Sequence, residues 1–424
     1  MKNKFCKRYI KKTIATSMVI VSTFVLCACR VSVKEEETSS ESESVEEVGD
    51  IEDINLNLWF SDMSMTDYLY SCAEDYEKAN PNVKINLVRA DESEYANNII
   101  DQVINGEEID LYLINNDELE KMKLAGVTKK NNMTDIYNHY NYSQKAIDAC
   151  TYKGDLIAYP LSFVTSFVVY NREYVTENVP RTFQDIKDFA DKYEVPAGSR
   201  ISKIFTCDLQ QIFYNYGFLG GALEIGGKCG DDKQQTFSIT PELEKAVTLY
   251  KQLIEFFSID ISKDDFYTCL SDFENGNAVF TVADVAFYNR LVKDGKSEMV
   301  GVIPFPDMDK ENTTSPLSVT SSIVVNPFSK NVNVVESFAK YISYTNADSL
   351  YEFSGNIACK KVDYDNEMLL NIFESYDKST PKLKIMYNDE FYALLEVSMH
   401  LMAKNEDDIK SLAAVSSYLE SHWK

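Results

Sequence analysis

Apolar residues recur with period two from Ile54: Ile54, Leu56, Leu58 and Phe60 fall on one face, and Asn55, Asn57 and Trp59 on the other. That alternation predicts a half-buried strand. After Thr66 the period lengthens, so that Leu69, Cys72, Ala73 and Tyr76 share a helical face, and Asn80-Pro81 ends the helix because the residue before a proline is pushed out of the helical region. Val83, Ile85 and Leu87 mark a second strand. Ile99, Ile100, Val103 and Ile104 mark a second helix before Gly106, and a third strand runs from Ile109 to Ile114. This βαβαβ succession implies an α/β fold with a mainly parallel sheet covered by helices, which meets ligands at the carboxyl ends of its strands.

The second half repeats the pattern with longer helices. The clearest starts from Thr240 as N-cap with Pro241 at the first helical position, and carries Leu243, Ala246, Val247, Tyr250, Leu253, Ile254 and Phe257 on its apolar face. Val279 to Val282 reads as a strand. Ser321 to Asn326 reads as another, followed by a helix with Val335, Phe338, Ala339 and Ile342, and a last helix holds Ile409, Leu412, Ser416 and Leu419. A body of about 370 residues is larger than one hydrophobic core usually serves and predicts two lobes.

The first residues carry a different pattern. Lys2, Lys4, Lys7, Arg8, Lys11 and Lys12 precede an apolar run from Thr13 to Ala28. A basic flank, an apolar run and a small-residue end make residues 1–28 a secretory signal peptide. Leu26-Cys27-Ala28-Cys29 resembles a lipobox. The resemblance implies that Cys29 receives a diacylglycerol and becomes the mature N-terminus, anchoring an exported protein to the outer face of the cytoplasmic membrane, since two acyl chains anchor stably. The plainer alternative is cleavage after Ala28 with Cys29 incidental. From Arg30 to Asp53 the chain is rich in Glu and Ser without spaced apolar residues, so residues 29–53 read as an acidic, disordered tether.

Charge narrows the partners. The formal net charge is −25, and it becomes −31 without residues 1–28, which hold six basic and no acidic side chains. A body so acidic is not expected to bind nucleic acid or an anionic membrane surface. Six cysteines follow Cys29 without CxxC or zinc-like spacing, so neither a metal nor a cofactor is expected, and buried free thiols are the default. Cys207 with Cys229 is the pair singled out for a disulfide test.

Gly154-Asp155-Leu156-Ile157-Ala158-Tyr159-Pro160, with Val168-Val169-Tyr170-Asn171-Arg172-Glu173 after it, resembles the segment that crosses between lobes in the extracellular solute-binding proteins of ABC importers, in the maltose-binding branch. Leu58-Trp59, Asp110, Pro180-Arg181-Thr182-Phe183, Gly220-Gly221, the run Phe273 to Ala278, and Gly301-Val302-Ile303-Pro304 follow in the family's order across nearly the whole body. The resemblance implies a two-lobed type II periplasmic-binding-protein fold with a ligand cleft between lobes that close by a hinge. It places one lobe near 54–161 and 318–360, and the other near 165–314 and 362–424. It also implies a monomer that takes a small solute, a carbohydrate above all, and delivers it to permease subunits without chemistry of its own.

A carbohydrate site needs aromatic platforms for ring faces and polar side chains for hydroxyls. By the resemblance, Asp117 matches a sugar-binding aspartate, with Asn115 and Asn116 beside it; all three also suit the cap of a helix from Glu118 to Leu124. Phe287 and Tyr288 match a family aromatic, as does Phe391 with Tyr392 next to it, while the alternative for any aromatic is core packing. Asp208 matches a wall carboxylate, and Trp59 and Asp62 end the first strand at the cleft mouth. The chain departs from the maltose-binding pattern at Val164, Ala286, Ile114 and Glu118, which puts maltodextrin itself in doubt. Two tryptophans, one of them Trp423, argue against a long stacked oligosaccharide. Two other classes remain open: an enzyme, although with three histidines there is no HExxH, GxSxG or P-loop, and a surface sensory or interaction protein of the same fold. A peptide or polyamine also remains a candidate solute.

Overall fold

The period-two run forms β1 (Ile54–Phe60), in which Leu56 and Leu58 are wholly buried while Asn55 is exposed. In the computed structural model, residues 53–406 and 409–423 are described; the signal-peptide, Cys29 and tether expectations therefore lie outside the described residues, apart from Asp53. The chain continues through α1 (Thr66–Ala79), β2 (Val83–Arg89), α2 (Tyr95–Ile104), β3 (Leu111–Asn115) and α3 (Leu119–Leu124). β1 pairs in parallel with β2 and with β3.

The matched crossing segment begins as a small hairpin pairing Thr151 with Leu156 and Tyr152 with Asp155. Its two-residue turn holds Lys153 at φ 48° and Gly154 at φ 85°. Positive φ at both positions is what a type I′ hairpin demands, and Gly154 supplies the second without a Cβ penalty. β4 (Tyr159–Thr165) follows in the first sheet, and after Ser166 alone β5 (Phe167–Asn171) enters a second sheet.

That second sheet is completed by β6 (Lys203–Thr206), β7 (Ala278–Ala283) and β8 (Val300–Ile303) in the order β8-β5-β7-β6. Between β6 and β7 lies α4 (Pro241–Phe257), capped by Thr240, whose hydroxyl accepts from Leu243 N at 3.2 Å. α5 (Val285–Lys293) follows β7. β9 (Leu317–Val325) then returns to the first sheet, succeeded by α6 (Val332–Lys340), β10 (Ile357–Ala358), α7 (Glu367–Asp377), β11 (Thr380–Pro381), α8 (Asn388–Ala403) and α9 (Lys410–His422). The first sheet runs β10-β4-β9-β3-β1-β2, with β11 beside β9.

The sheets are less parallel than the local pattern implies. β9 is antiparallel to both β3 and β4, and β5 is antiparallel to both β7 and β8. Side-chain period reports which face is buried but not which way a neighbour runs, and strands that pass from one lobe into the other return antiparallel. The buried apolar side chains fall into two clusters. Leu58, Leu111, Phe163, Val324 and Phe338 belong to one, and Phe183, Phe205, Phe218, Phe280 and Tyr250 to the other. Val285 to Leu291 and Met368 to Tyr376 pack with the first. Where the chain crosses, hydroxyls hold the backbone: Ser375 donates to Ser166 O at 2.8 Å and accepts from Phe305 N at 3.0 Å. All six described cysteines are free, Cys207 buried and Cys229 half-buried.

One cross-strand pair gives a sharp test. Gly301 of β8 lies opposite Tyr170 of β5, and a Cβ on Gly301 would sit 2.1 Å from the Tyr170 ring. The glycine leaves the room that the ring occupies. Gly301→Ala is expected to lower stability by about 1–3 kcal/mol through forced repacking, and Tyr170→Ala in the same background should recover part of that loss in urea unfolding; an unchanged midpoint for Gly301→Ala would refute the close fit.

Candidate functional site

The carboxyl ends of β1, β2 and β3 converge on a cavity of about 620 Å³, within the range common for small-molecule sites. β1 leads into Ser61 and Asp62. Asp62 caps the turn Met63–Met65, accepting from Ser64 N at 2.8 Å and Ser64 Oγ at 2.7 Å. Beyond β2 come Glu92 and Glu94, the latter accepting from Asn97 Nδ2 in the first turn of α2. β3 ends at Asn115, and Asp117 and Glu118 stand in the turn before α3. β4 and β9 form the floor with Ser162, Val164, Val319 and Ser321, and Asn356 and Asp389 complete the rim.

Carboxylates, amides and hydroxyls therefore dominate the walls. Six carboxylates line the cavity, at Asp62, Glu92, Glu94, Asp117, Glu118 and Asp389, against the one ammonium of Lys121. Glu118 pairs with Lys121 at 3.4 Å. Asp117 Oδ2 accepts from Lys382 Nζ at 2.7 Å, and the same ammonium reaches Asp389 Oδ1 at 3.1 Å. Burial alone would lower the Lys382 pKa, but Asp117 and then Asp389 carry it above the usual lysine value. Among the described residues, two aromatic rings border the cavity, Tyr95 and Phe163, at 7% and 1% exposure.

The structure brings together Asp62, Asn115 and Asp117 of the residues singled out in the sequence. Three positions noted as departures, Ile114, Glu118 and Val164, also line this cavity, whereas Ala286 is exposed at the start of α5 and is not among its lining residues. Asn116 is wholly buried and works as a backbone clamp, donating to Lys382 O at 2.6 Å and accepting from Thr320 N at 2.8 Å. Trp59 is half-buried against the first apolar cluster. Asp208 is buried and caps its own turn, accepting from Gln210 N at 2.7 Å and Gln211 Nε2 at 2.8 Å; burial pushes its pKa up.

The four expected platforms lie elsewhere. Phe287 is wholly buried with its ring 5.7 Å from Phe266 and 6.2 Å from Phe273, and Tyr288 is buried beside it with its hydroxyl accepting from Asn366 Nδ2 at 3.1 Å. Phe391 is wholly buried 4.8 Å from Tyr392, whose hydroxyl accepts from Leu383 N at 3.1 Å. The reason is helical spacing. Phe391, Tyr392, Leu395, Ser398, Met399 and Met402 make the buried stripe of α8, so a ring at this position turns inward with its neighbours.

Glu92, Glu94, Ser162, Ser321, Asn356 and Asp389 were not singled out from the sequence. The rule that ligands meet strand ends points to Glu92 and Glu94, just beyond β2; no local pattern points to Asn356 or Asp389. Sequence reading also missed Glu120, buried to 1% exposure, which accepts from Met386 N at 2.7 Å and Tyr152 Oη at 3.0 Å and pairs with Lys233 at 3.2 Å. Among the described residues, no group of three or more His, Cys, Asp or Glu is placed to hold a metal ion, and no helix is long and apolar enough to cross a membrane.

The same architecture occurs in known proteins. An extracellular solute-binding protein from Staphylococcus aureus, solved in complex with maltose, superposes with a TM-score of 0.76 at 16% identity, covering 87% of this chain and 97% of that one. A maltose-binding periplasmic protein from Listeria monocytogenes, also in complex with maltose, gives 0.73 at 17% identity over 87% of this chain and 97% of that one. A maltotriose-binding protein of Pyrococcus abyssi is 27% identical over 256 residues, which is 57% of this chain and 51% of that protein; the match thus spans about half the relative's length. The family model described as bacterial extracellular solute-binding protein matches residues 71–362. With two α/β lobes, crossing strands between them and a polar cavity at the strand ends, the chain belongs to the bacterial extracellular solute-binding proteins.

Proposed function

We propose that the chain captures a carbohydrate outside the cell by lobe closure and delivers it to the permease of an ABC importer, tethered to the membrane through a lipidated Cys29. The observation that carries this reading is the cavity wall, where carboxylates, amides and serine hydroxyls stand ready to bond a rim of sugar hydroxyls. The maltose and maltotriose in the names of similar proteins favour a sugar over other solutes. With both bordering rings buried, recognition runs through hydrogen bonds more than through stacking, which favours a small sugar over a long oligosaccharide. The proposed site is Asp62, Asn115 and Asp117 with Glu92 and Glu94. The proposed lobes meet near 161–165, 314–318 and 360–362, where ligand-favoured closure would act as a hinge.

A second reading, capture of a cationic solute such as a polyamine, is favoured by the ratio of six carboxylates to one ammonium around the cavity. Thermal-shift measurements against glucose, maltose, maltotriose, spermidine and a short peptide distinguish the two. Ligand at 100 times its dissociation constant stabilises by about 2.7 kcal/mol, so a true ligand raises the melting temperature plainly. A rise with a sugar supports the first reading; a rise with spermidine alone replaces it with the second.

A further inference from the structure

Lys382 belongs to no motif, yet it is tied to the cavity floor by both backbone and side chain. Its N–H donates to Ser318 O at 2.7 Å, its carbonyl accepts from Asn116 Nδ2 at 2.6 Å, and its ammonium holds Asp117 Oδ2 at 2.7 Å. Asp389 and the Tyr392 ring, 5.6 Å from the ammonium, flank it on the other side. The remaining carboxylate oxygen, Asp117 Oδ1, is buried without a hydrogen-bond partner. A buried polar atom without a partner is costly and usually marks a place that something else satisfies. The turn carrying Asp117 is covered by the start of α8, where Asn388 Nδ2 donates to Asp117 O at 3.3 Å.

We propose that Lys382 is a positioning residue for solute recognition: by fixing Asp117 through Oδ2, it reserves Oδ1 as an acceptor for a hydroxyl of the bound sugar. This rests on the carbohydrate reading given above. The lysine supplies orientation: with Oδ2 held by the ammonium, the plane of the carboxylate is set and Oδ1 is the oxygen left free to accept. It also offsets part of the negative charge that a neutral sugar would otherwise meet.

Titration calorimetry with glucose, maltose and maltotriose, on the unaltered chain and on Asp117→Ala, Lys382→Met, Lys382→Gln, Lys382→Arg and the double variant Asp117→Ala/Lys382→Met, tests this. Lys382→Met and Lys382→Gln are expected to weaken binding about tenfold and Lys382→Arg to stay within about threefold, while the double variant binds no worse than Asp117→Ala, because two residues acting through one contact do not add. Far-ultraviolet circular dichroism identifies folded variants, and Lys382→Gln serves if Lys382→Met does not fold. Losses that multiply in the double variant, or unaltered affinity in Lys382→Met and Lys382→Gln, overturn the proposal. Unaltered affinity in Asp117→Ala overturns the assignment of Asp117 to the site, and with it the proposal that Lys382 acts through Asp117. Absence of binding by any of the three sugars to the unaltered chain overturns the carbohydrate reading, and the proposal with it.

Discussion

Phe391→Ala should lower stability by about 3–5 kcal/mol while leaving solute affinity in the cold nearly intact. The ring is wholly buried in the second apolar cluster, 4.8 Å from Tyr392 and 6.4 Å from Trp423, and the cavity-lining residues do not include it. Truncation leaves a hole flanked by Tyr392 and Trp423, large side chains that cannot readily collapse into it, so both the transfer and the cavity contributions are lost. Urea unfolding gives the stability change, and calorimetric titration at low temperature, where the variant remains folded, gives the affinity. Normal stability with lost affinity would return Phe391 to the cleft and remove it from the core.

The second large effect is expected at Asp117, where affinity rather than stability should fall. Asp117→Ala should weaken binding by about tenfold to a hundredfold, the range expected when a hydrogen bond to a charged group worth roughly 1.5–3 kcal/mol is lost. Stability should change little, because Lys382 keeps Asp389 as a second carboxylate at 3.1 Å, and removing Asp117 also removes the buried, unpartnered Oδ1. Calorimetry alongside a melting curve reads both. Affinity retained with a collapsed melting temperature would make Asp117 a structural group and leave Asp62, Asn115, Glu92 and Glu94 to carry recognition.

Local pattern carried far in this chain. The strand at Ile54–Phe60, the helix stopped before Pro81 and the Thr240-capped helix over Pro241–Phe257 all form where period and capping place them, because each is decided by residues within a turn or two of one another. The cavity's place at the strand ends was legible for the same reason: Asp62, Asn115 and Asp117 follow strands directly. The order of motifs such as Gly154 to Pro160 carried the fold class beyond what periodicity could supply.

The aromatic residues show where sequence stops. Phe287, Tyr288, Phe391 and Tyr392 carry the same chemistry in a cleft or in a core, and the helical stripe from Phe391 through Met402 is the signal in the sequence for an inward face. Direction of pairing was also invisible, since the burial of side chains along β9 and β5 does not report which way their neighbours run. The sequence by itself determined which segments form strands and helices, the two-lobed class and the strand-end turns where polar groups gather, because these depend on short-range spacing and on the order of motifs. Only the tertiary structure decided which rings are buried, that Asn356 and Asp389 complete the cavity, and that Lys382 grips Asp117 across 265 positions of chain, because burial and charge pairing depend on what long-range packing brings within a few ångströms.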